Sequence, residues 1–171
     1  VLYISVHEDP TGFPGTGFVD EVGDGEGIGY TVNVPLPFRV DDSIYRRAFD
    51  EIALPIVKQF KPQFVLVSAG FDGHYTDPVG NFALSMNCYD ETFTKILRLA
   101  DDFCEGKLVV TLEGGYSLNF LGKMVVGAIA RMTGATLNVN DIRRTATARV
   151  KKSAERIMNN AKQIQSSFWK L

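Results

Sequence analysis

The chain has 171 residues, of which 45% are apolar and 22% are charged, and its formal net charge at pH 7 is −2. This is the composition of an ordinary globular domain, and the slight acidic excess argues against nonspecific nucleic-acid binding by the whole body. Cys88 and Cys104 form no CxxC pair, so neither a disulfide framework nor a zinc ribbon is indicated. No apolar run approaches the length of a membrane span and no signal peptide is visible, so we expect a cytoplasmic, reducing compartment.

The N-terminal part of the chain combines two predicted strands with a long loop. The first strand, 1–6, begins without a starting Met, as though the chain were cut from something longer. The loop runs over 11–29, and because long loops are usually functional or disordered, the apolar residues within it favour an ordered loop folded over a site. The second strand covers 30–34, and Pro35 should end it. Seven glycines interrupt the loop: Gly12, Gly15, Gly17, Gly23, Gly25, Gly27 and Gly29.

The middle of the chain alternates helices and strands. A helix N-terminal signal at Asp41-Asp42-Ser43 begins the first helix, and apolar residues at helical spacing extend it to Phe60, with Pro55 kinking or restarting it. The continuous apolar run at 64–67 is typical of a strand buried on both faces. The alternation predicts an α/β fold with a parallel sheet in three layers, α/β/α. The remaining predicted elements are a helix at 89–103, a strand at 107–112 and a helix at 117–132.

Functional residues are expected where these strands end, because the carboxyl ends of parallel strands form the ligand-binding edge of an α/β sheet. Three strand ends are predicted to share that edge: 5–7, 70–72 and 114–116. Asp72 stands at the end of an apolar strand, a costly place for an acid unless a cation or hydrogen-bond donors meet it. The alternative is an Asp that only caps the next turn.

The C-terminal region, 135–171, is predicted to be a helical extension of a domain that spans 1–134. From Asn140 to Leu171 the chain has eight basic residues and two acidic ones. We interpret this basic face as a solvated surface rather than a nucleic-acid site. An apolar stripe at helical spacing should dock the helix on the body or on a partner: Val150, Ala154, Ile157, Ala161 and Ile164.

Six short motifs occur in order over residues 1–134. They are ISVH at 4–7, FPGTG at 13–17, VNVP at 32–35, SAGFDGH at 68–74, DPVG at 77–80 and LEGGY at 112–116. Taken jointly, their order and spacing resemble the histone deacetylase family, which has the arginase/deacetylase fold. The SAGFD and LEGGY motifs are similar to those of the class II and prokaryotic branch, which also holds acetoin-utilisation proteins and acetylpolyamine amidohydrolases. The resemblance implies a partial arginase/deacetylase fold with a C-terminal basic helix.

The resemblance also implies a chemistry, that of a zinc-dependent hydrolase of acetyl-lysine or a related acetylated amine. In such enzymes zinc polarises the acetyl carbonyl and lowers the pKa of the water that attacks it. Asp72 falls on the family's second zinc aspartate. Tyr116 falls on the tyrosine that donates a hydrogen bond to the developing oxyanion. Gly114 and Gly115 would let the backbone of that tyrosine come near the zinc.

Further residues match the family's substrate tunnel and cation sites. Phe13 matches one aromatic wall of the acyl-lysine tunnel, and Val79 matches a smaller wall residue. An apolar tunnel suits an alkyl chain whose charge has been removed by acetylation. Ser5 and Val6 match a monovalent-cation site beside the zinc, for which potassium is the expected ion. Tyr30 matches a second, peripheral cation site.

Two motifs of the family do not occur in this sequence, the Asp-x-Asp-x-His zinc motif and the catalytic His pair. The only histidines are His7 and His74, which we interpret as hydrogen-bonded loop residues rather than as ligands or bases. Since a catalytic zinc takes three protein ligands, one carboxylate cannot hold it. We therefore expect the C-terminal half of a deacetylase catalytic domain, inactive alone, with zinc retained only in the intact parent.

Two other functions are compatible with the sequence. One is a noncatalytic interaction module on the same fold that oligomerises through a sheet edge and the tail helix. The other is an unrelated α/β protein that binds phosphate with Gly114-Gly115 at a helix N-terminus, although the sequence has no G-x-G-x-x-G and no Lys in P-loop position.

The half-domain reading carries expectations about surfaces and partners. Apolar surface should be exposed where the missing half packed, which favours a homo-oligomer or a partly disordered glycine loop. The expected partners are the acetylated substrate and the missing N-terminal half, with no nucleic acid and no membrane. Asp72, Tyr116, Phe13 and Val79 should converge at one rim of the sheet. The substrate stays open among a protein lysine, a polyamine and a small acetyl compound.

Overall fold

The computed structural model describes residues 1–135 and 141–171, which fall into two compact units. Unit 1 consists of Val1–Phe60 and Ala146–Leu171, and unit 2 consists of Lys61–Thr145. Residues 136–140, at the start of the predicted tail, lie outside the described residues. The division at 134/135 stays a prediction. None of the described helices is long and apolar enough to cross a membrane.

Unit 1 contains a parallel pair of strands, β1 (Tyr3–Glu8) and β2 (Thr31–Leu36). β2 runs on past the predicted stop at Pro35, which lies opposite His7. At the two ends of the ladder, the N–H groups of Tyr3 and Asp9 donate to the carbonyls of Tyr30 and Leu36. The backbone N–H and C=O groups of the even-numbered residues of β2 therefore point toward β1. The N–H that Pro35 lacks would therefore point away from β1, which explains why the proline is tolerated inside the strand.

The predicted first helix of unit 1 is split by Pro55. Helix α1 (Asp42–Ala48) begins at Asp41, whose carboxylate accepts from the N–H groups of Ser43 and Ile44. A π-helical turn (Phe49–Ala53) follows and leads into α2 (Leu54–Phe60). Pro55 lies just after this wider turn. A proline ring clashes with the carbonyl four residues earlier in a regular helix, so the wider turn accommodates it.

The predicted tail helix is present as α5 (Ala148–Gln165) and packs within unit 1. Thr147 caps its first turn. Its end is fixed by two long-range hydrogen bonds, from Gln165 Nε2 to the carbonyl of Thr31 at 3.1 Å and from Trp169 Nε1 to the carbonyl of Gly29 at 2.8 Å. The side chains that α5 buries are Ala154, Met158, Ala161 and Gln165.

Unit 2 contains the second parallel pair, β3 (Val65–Ala69) and β4 (Leu108–Leu112), in register from one end to the other. Helix α3 (Met86–Cys104) precedes β4, and α4 (Leu121–Met132) follows it. Strands alternating with helices and paired in parallel confirm the predicted α/β class. The core of the unit is Ala69, Phe71, Met86, Phe93, Met124 and Ala128.

Two expectations about the sheet need correction. The predicted burial of β3 on both faces is wrong, because Leu66 is 76% exposed and its neighbour across the pair, Val109, is 47% exposed. An apolar run indicates that both faces of a strand can be buried. It does not indicate that the elements that bury them belong to this chain. The three strand ends predicted to share one edge belong to two separate strand pairs, because β1 pairs with β2 and β3 pairs with β4. Only the ends of β3 and β4 belong to the same pair.

Candidate active site

Asp72 follows β3, and glycines from three segments of unit 2 surround it. A methyl group added at Gly114 would come within 2.6 Å of Asp72 Oδ2, and one at Gly70 within 3.1 Å of Oδ1. A methyl group at Gly80 would fall on the backbone carbonyl oxygen of Asp72. None of these three glycines has the left-handed backbone that favours glycine. A side chain at Gly80 or Gly114 would overlap Asp72, and one at Gly70 would press against its carboxylate.

The segments that follow β3 and β4 run side by side. The N–H of Glu113 donates to the carbonyl of Ala69 at 3.0 Å, and the N–H of Phe71 donates to the carbonyl of Gly114 at 2.8 Å. The first bond belongs to the last pair of the parallel ladder, and the second follows it with a shift of one residue. The predicted meeting of these two strand ends is therefore correct, and it sets Asp72 against the segment that leads to Tyr116.

Asp77 binds four backbone amides with its two carboxylate oxygens. Oδ1 accepts from the N–H groups of Val79 and Gly80, at 2.9 and 3.2 Å. Oδ2 accepts from the N–H groups of Tyr116 and Ser117, at 2.7 and 3.1 Å. The first pair forms a local turn, as Asp commonly does, but the second pair lies 39 and 40 residues away. Asp77 therefore joins the turn that carries Val79 to the segment that carries Tyr116.

Tyr116 and Val79 both present their side chains to solvent, with exposed fractions of 52% and 60%. Tyr116 lies in an irregular segment, since α4 begins only at Leu121 rather than at the predicted residue 117. Gly115, immediately before Tyr116, has φ of 139°, and a methyl group there would come within 2.7 Å of Leu121 Cδ1.

The phosphate-binding alternative does not fit this geometry. Gly114 and Gly115 are separated from α4 by the turn that begins at Ser117, whose carbonyl accepts from Leu121 N at 2.8 Å. The space beside Gly114 is taken by the carboxylate of Asp72. An anion placed there would meet a negative charge instead of the amides of a helix N-terminus.

His74 is fully buried in a chain of hydrogen bonds beside the site. Its Nδ1 accepts from the N–H of Thr76 at 3.3 Å, so a neutral ring carries its proton on Nε2. Nε2 then donates to Asp141 Oδ2 at 2.9 Å. The Thr76 hydroxyl lies 2.8 Å from Nδ1 and 2.7 Å from the hydroxyl of Ser117. The histidine ring packs against both Tyr75 and Phe120, which also contact each other. His74 is thus a hydrogen-bonded loop histidine, as predicted.

Asp141 is the buried acceptor at the far end of this chain, with its side chain 2% exposed. It also accepts from the N–H groups of Met86 and Ile142, at 2.8 and 2.7 Å, and from the hydroxyl of Tyr75 at 3.1 Å. Burial by itself would raise the pKa of Asp141, but the hydrogen bonds that its carboxylate accepts together outweigh burial and lower the pKa below its ordinary value.

The remaining predicted site residues lie in unit 1. Phe13 is 86% exposed in the glycine loop. Ser5 and Val6 lie in β1 opposite Asn33 and Val34.

Tyr30 precedes β2. Its carbonyl accepts from the N–H of Tyr3 at 2.9 Å, and its ring packs edge-on against Phe60 and Trp169. The structure thus brings together the segments of three predicted site residues, Asp72, Val79 and Tyr116, within unit 2. The roles of all the predicted site residues stay predictions.

The glycine loop of unit 1 is ordered by side chains around it. His7 Nε2 donates to the carbonyl of Gly17 at 3.0 Å, which leaves Nδ1 to accept from the hydroxyl of Ser5 at 2.8 Å. The amide of Asn33 donates to the carbonyls of Phe18 and Glu21, at 3.3 and 3.1 Å. These bonds agree with the ordered loop favoured by the sequence.

The donor set of the described residues does not fit a complete zinc site. Over 1–135 and 141–171, no group of three or more His, Cys, Asp or Glu side chains could hold a metal ion. A catalytic zinc takes three protein ligands. Asp72 can offer carboxylate oxygens toward such a site, but the described part of this chain does not supply the rest.

Two residues that organise the site were not singled out from the sequence. Asp77 lies within the DPVG motif, and Asp141 is one of the two acidic residues of the basic tail. The Asp-Pro pair at 77–78 is a signal for a local turn, which accounts for half of the bonds that Asp77 makes. The partners of Asp141 lie 55 residues away at Met86 and 67 residues away at His74, and no local pattern marks them.

Comparison with known proteins identifies the family. Residues 1–132 match the family model of the histone deacetylase domain. A probable deacetylase of Archaeoglobus fulgidus is 40% identical over 183 aligned positions, which cover 99% of this chain and 50% of the relative. Histone deacetylase 14, chloroplastic, of Arabidopsis thaliana is 39% identical over 134 positions, covering 78% of this chain and 31% of the relative.

Solved structures agree with the sequence comparison. The HDA15 HD domain superposes with a TM-score of 0.80 at 33% identity, covering 99% of this chain and 44% of that structure. The histone deacetylase Clr3 superposes with a TM-score of 0.84 at 30% identity, covering 99% of this chain and 28% of that structure. The chain spans about half the length of the archaeal relative and less of the others. The fold is that of the deacetylase domains, and the chain belongs to the histone deacetylase family.

Proposed function

We propose that this chain forms part of a zinc-dependent deacetylase that hydrolyses acetyl-lysine or a related acetylated amine. The observation that carries the proposal is the packing of the Asp72 carboxylate against Gly114, two residues before Tyr116. This packing sets an acid and a phenol at the ends of two neighbouring parallel strands, where α/β proteins bind their ligands.

In this proposal Tyr116 donates a hydrogen bond to the oxyanion that develops when the acetyl carbonyl is attacked. Tyr116 is half exposed, which is compatible with contact between its side chain and a substrate. Asp72 supplies one oxygen ligand to zinc, and the other ligands come from outside this chain. Val79 and Phe13, both largely exposed, contribute apolar walls for the alkyl part of the substrate.

The proposal includes a missing part of the catalytic domain. The chain spans half or less of its relatives, and the face of the β3–β4 pair that bears Leu66 and Val109 is exposed. An exposed apolar face of a parallel sheet is ordinarily covered by other elements. We expect the chain alone to be inactive and to associate with itself or with the missing half, in the cytoplasm. Potassium at Ser5 and Val6, with a second ion at Tyr30, belongs to the same proposal.

The test uses the longer protein that carries this chain, assayed with an acetyl-lysine peptide and analysed for zinc. Tyr116→Phe removes one hydroxyl and should lower kcat by roughly a hundredfold while zinc content stays unchanged. Asp72→Ala should lose both zinc and activity. Tyr3→Phe is the matched control, because Tyr3 lies in β1 and is 57% exposed, and it should keep the full rate.

Two results would contradict these roles separately. A Tyr116→Phe enzyme with the wild-type rate would remove Tyr116 from the chemistry. An Asp72→Ala enzyme that keeps its zinc would remove Asp72 from the metal. If the longer protein hydrolyses none of the acetyl substrates tested, including an acetylated polyamine, and the chain forms a stable oligomer, the noncatalytic module becomes the better reading.

A further inference from the structure

The carboxylate of Asp77 is divided between two segments that are distant in sequence. One oxygen serves the turn of Val79 and Gly80, and the other serves the segment of Tyr116 and Ser117. Charge-assisted bonds from backbone amides are stronger than bonds between neutral groups. A turn-forming Asp needs only the first pair of bonds. The second pair therefore calls for an explanation beyond local structure.

The segment that carries Tyr116 is bound on both sides of this residue, at Gly114 by the N–H of Phe71 and at Ser117 by Thr76 and the N–H of Leu121. It lies between the end of β4 and the start of α4 without regular secondary structure, and two glycines precede Tyr116. Tyr116 is half exposed, so packing constrains its side chain less than that of a core residue. Under these conditions the position of the backbone decides where the phenol lies, and Asp77 binds that backbone at Tyr116 itself, at 2.7 Å.

We propose that Asp77 is a positioning residue that sets the Tyr116 phenol relative to the carboxylate of Asp72. The same carboxylate holds Gly80, which packs directly on the backbone of Asp72. The acid, the phenol and the Val79 wall are thereby fixed to a common anchor. This inference rests on the proposed function, because it assumes that Tyr116 acts in catalysis.

The variant that tests the anchor is Asp77→Asn. Asparagine keeps the shape of the side chain but replaces one acceptor oxygen with an NH₂ group, which only donates. Whichever way the amide turns, one pair of backbone N–H groups faces a donor and loses its bonds. A displacement of about 1 Å at a catalytic group costs on the order of a hundredfold in rate. In the longer protein we therefore expect kcat to fall by roughly ten- to a hundredfold, with zinc content unchanged and KM less affected.

The decisive measurement is a double-variant cycle with Tyr116→Phe. If Asp77 acts through the phenol, Asp77→Asn has nothing further to remove once the hydroxyl is gone, and the double variant should be no slower than Tyr116→Phe alone. Multiplying losses would overturn the inference and make Asp77 a merely structural residue. Asp24→Asn is the matched control, since Asp24 Oδ1 also caps an amide, that of Gly25 at 2.8 Å, but in unit 1. It should keep the full rate.

A second readout does not depend on deacetylation. Hydrogen exchange of the Tyr116 and Ser117 amides should accelerate in Asp77→Ala, because this variant removes both acceptor oxygens. Unchanged exchange of both amides would overturn the inference. If exchange accelerates but Tyr116→Phe retains full activity, the anchor stands and the proposed function fails.

A longer acidic side chain covers the case in which Asp77→Asn does not fold. Asp77→Glu keeps both acceptor oxygens one methylene farther away. A rate loss in Asp77→Glu that vanishes in the Tyr116→Phe background supports the inference. A full rate in Asp77→Glu, beside an unfolded Asp77→Asn, would overturn it.

Discussion

The glycine loop of unit 1 and the glycines around Asp72 use the same residue for different physical reasons. In the loop, glycine mostly supplies left-handed backbone, and around Gly15 nothing lies within reach of an added methyl group. Around Asp72, Gly70, Gly80 and Gly114 have ordinary backbones but no room for a side chain. A glycine required for space marks where another atom must lie. Around the site that atom belongs to Asp72, whereas the loop glycines that lack space, Gly17, Gly23 and Gly29, each face a different residue.

The largest effect expected from this comparison is at Gly80. Gly80→Ala would place a methyl group on the backbone oxygen of Asp72, 2.7 Å from its carbonyl carbon. A backbone cannot move aside as a flexible side chain does, so we expect the free energy of unfolding to fall by about 3 kcal/mol. Denaturant unfolding of the 171-residue chain measures the change.

The control for that substitution is Gly122→Ala in α4, where an added methyl group meets nothing within 4 Å. Alanine favours a helix over glycine by up to about 1 kcal/mol, so this variant should be slightly more stable than the wild type. Equal changes in the free energy of unfolding for Gly80→Ala and Gly122→Ala would show that the close packing around Asp72 does not affect stability.

A smaller effect is expected on the pH dependence of stability, through the buried carboxylate of Asp141 beside the site. The pKa of Asp141 is lowered in the folded chain, so its contribution to stability is present above the ordinary Asp pKa near 3.8 and is lost as pH falls through the folded value. Asp141→Asn puts an NH₂ group where the carboxylate accepts bonds, and should cost about 2 kcal/mol at pH 7. Unfolding measured between pH 7 and pH 2.5 should show the two proteins converging at the acid end.

The glycine loop offers the contrast for this titration. The pKa of Glu21 is lowered by hydrogen bonds from the N–H of Gly17 and the hydroxyl of Thr16. Acidification below the ordinary Glu pKa near 4.5 should therefore release this loop. Glu21→Gln should speed hydrogen exchange at Gly17 while leaving global unfolding nearly unchanged.

The Asp141 prediction has its own contradicting outcome. If the unfolding free energies of the wild type and Asp141→Asn differ by the same amount from pH 7 down to pH 2.5, the assignment of acid sensitivity to Asp141 is contradicted.

The smallest effects are expected within the glycine loop, where two glycines with open space around them differ in backbone conformation. Gly15 has φ of 81° and open space around it, whereas Gly12 has open space and no left-handed backbone. Gly15→Ala should cost about 1 kcal/mol because a left-handed backbone disfavours a Cβ. Gly12→Ala should be neutral or slightly stabilising. Thermal unfolding of the two variants side by side measures the difference, and a reversed order would remove backbone conformation as the reason for these glycines.

The sequence predicted the meeting of Asp72 with the Tyr116 segment, because strand ends in a parallel sheet obey a simple rule of direction. It could not predict that Leu66 would be exposed, since an apolar run says nothing about which parts of a fold lie in the same chain. It also missed the role of Asp77 at Tyr116 and of Asp141 at His74. Both depend on contacts between residues tens of positions apart, and neither partner carries a local signal. The predicted strand stop at Pro35 is wrong because a proline ends a strand only where its missing N–H would have donated to a neighbouring strand.

The joining of α5 to residues 1–60 in unit 1 has a consequence for how the protein is made. Synthesis proceeds from the N-terminus, so β1, β2 and the glycine loop leave the ribosome more than eighty residues before the helix that covers them. Unit 2 lies between these two parts of the sequence and is complete before α5 is made. We expect nascent chains stopped at Thr145 to protect the amides of β3 and β4 while those of β2 still exchange. Residues 1–60 would then stay without their covering helix for longer than the part of the chain that carries Asp72 takes to be completed.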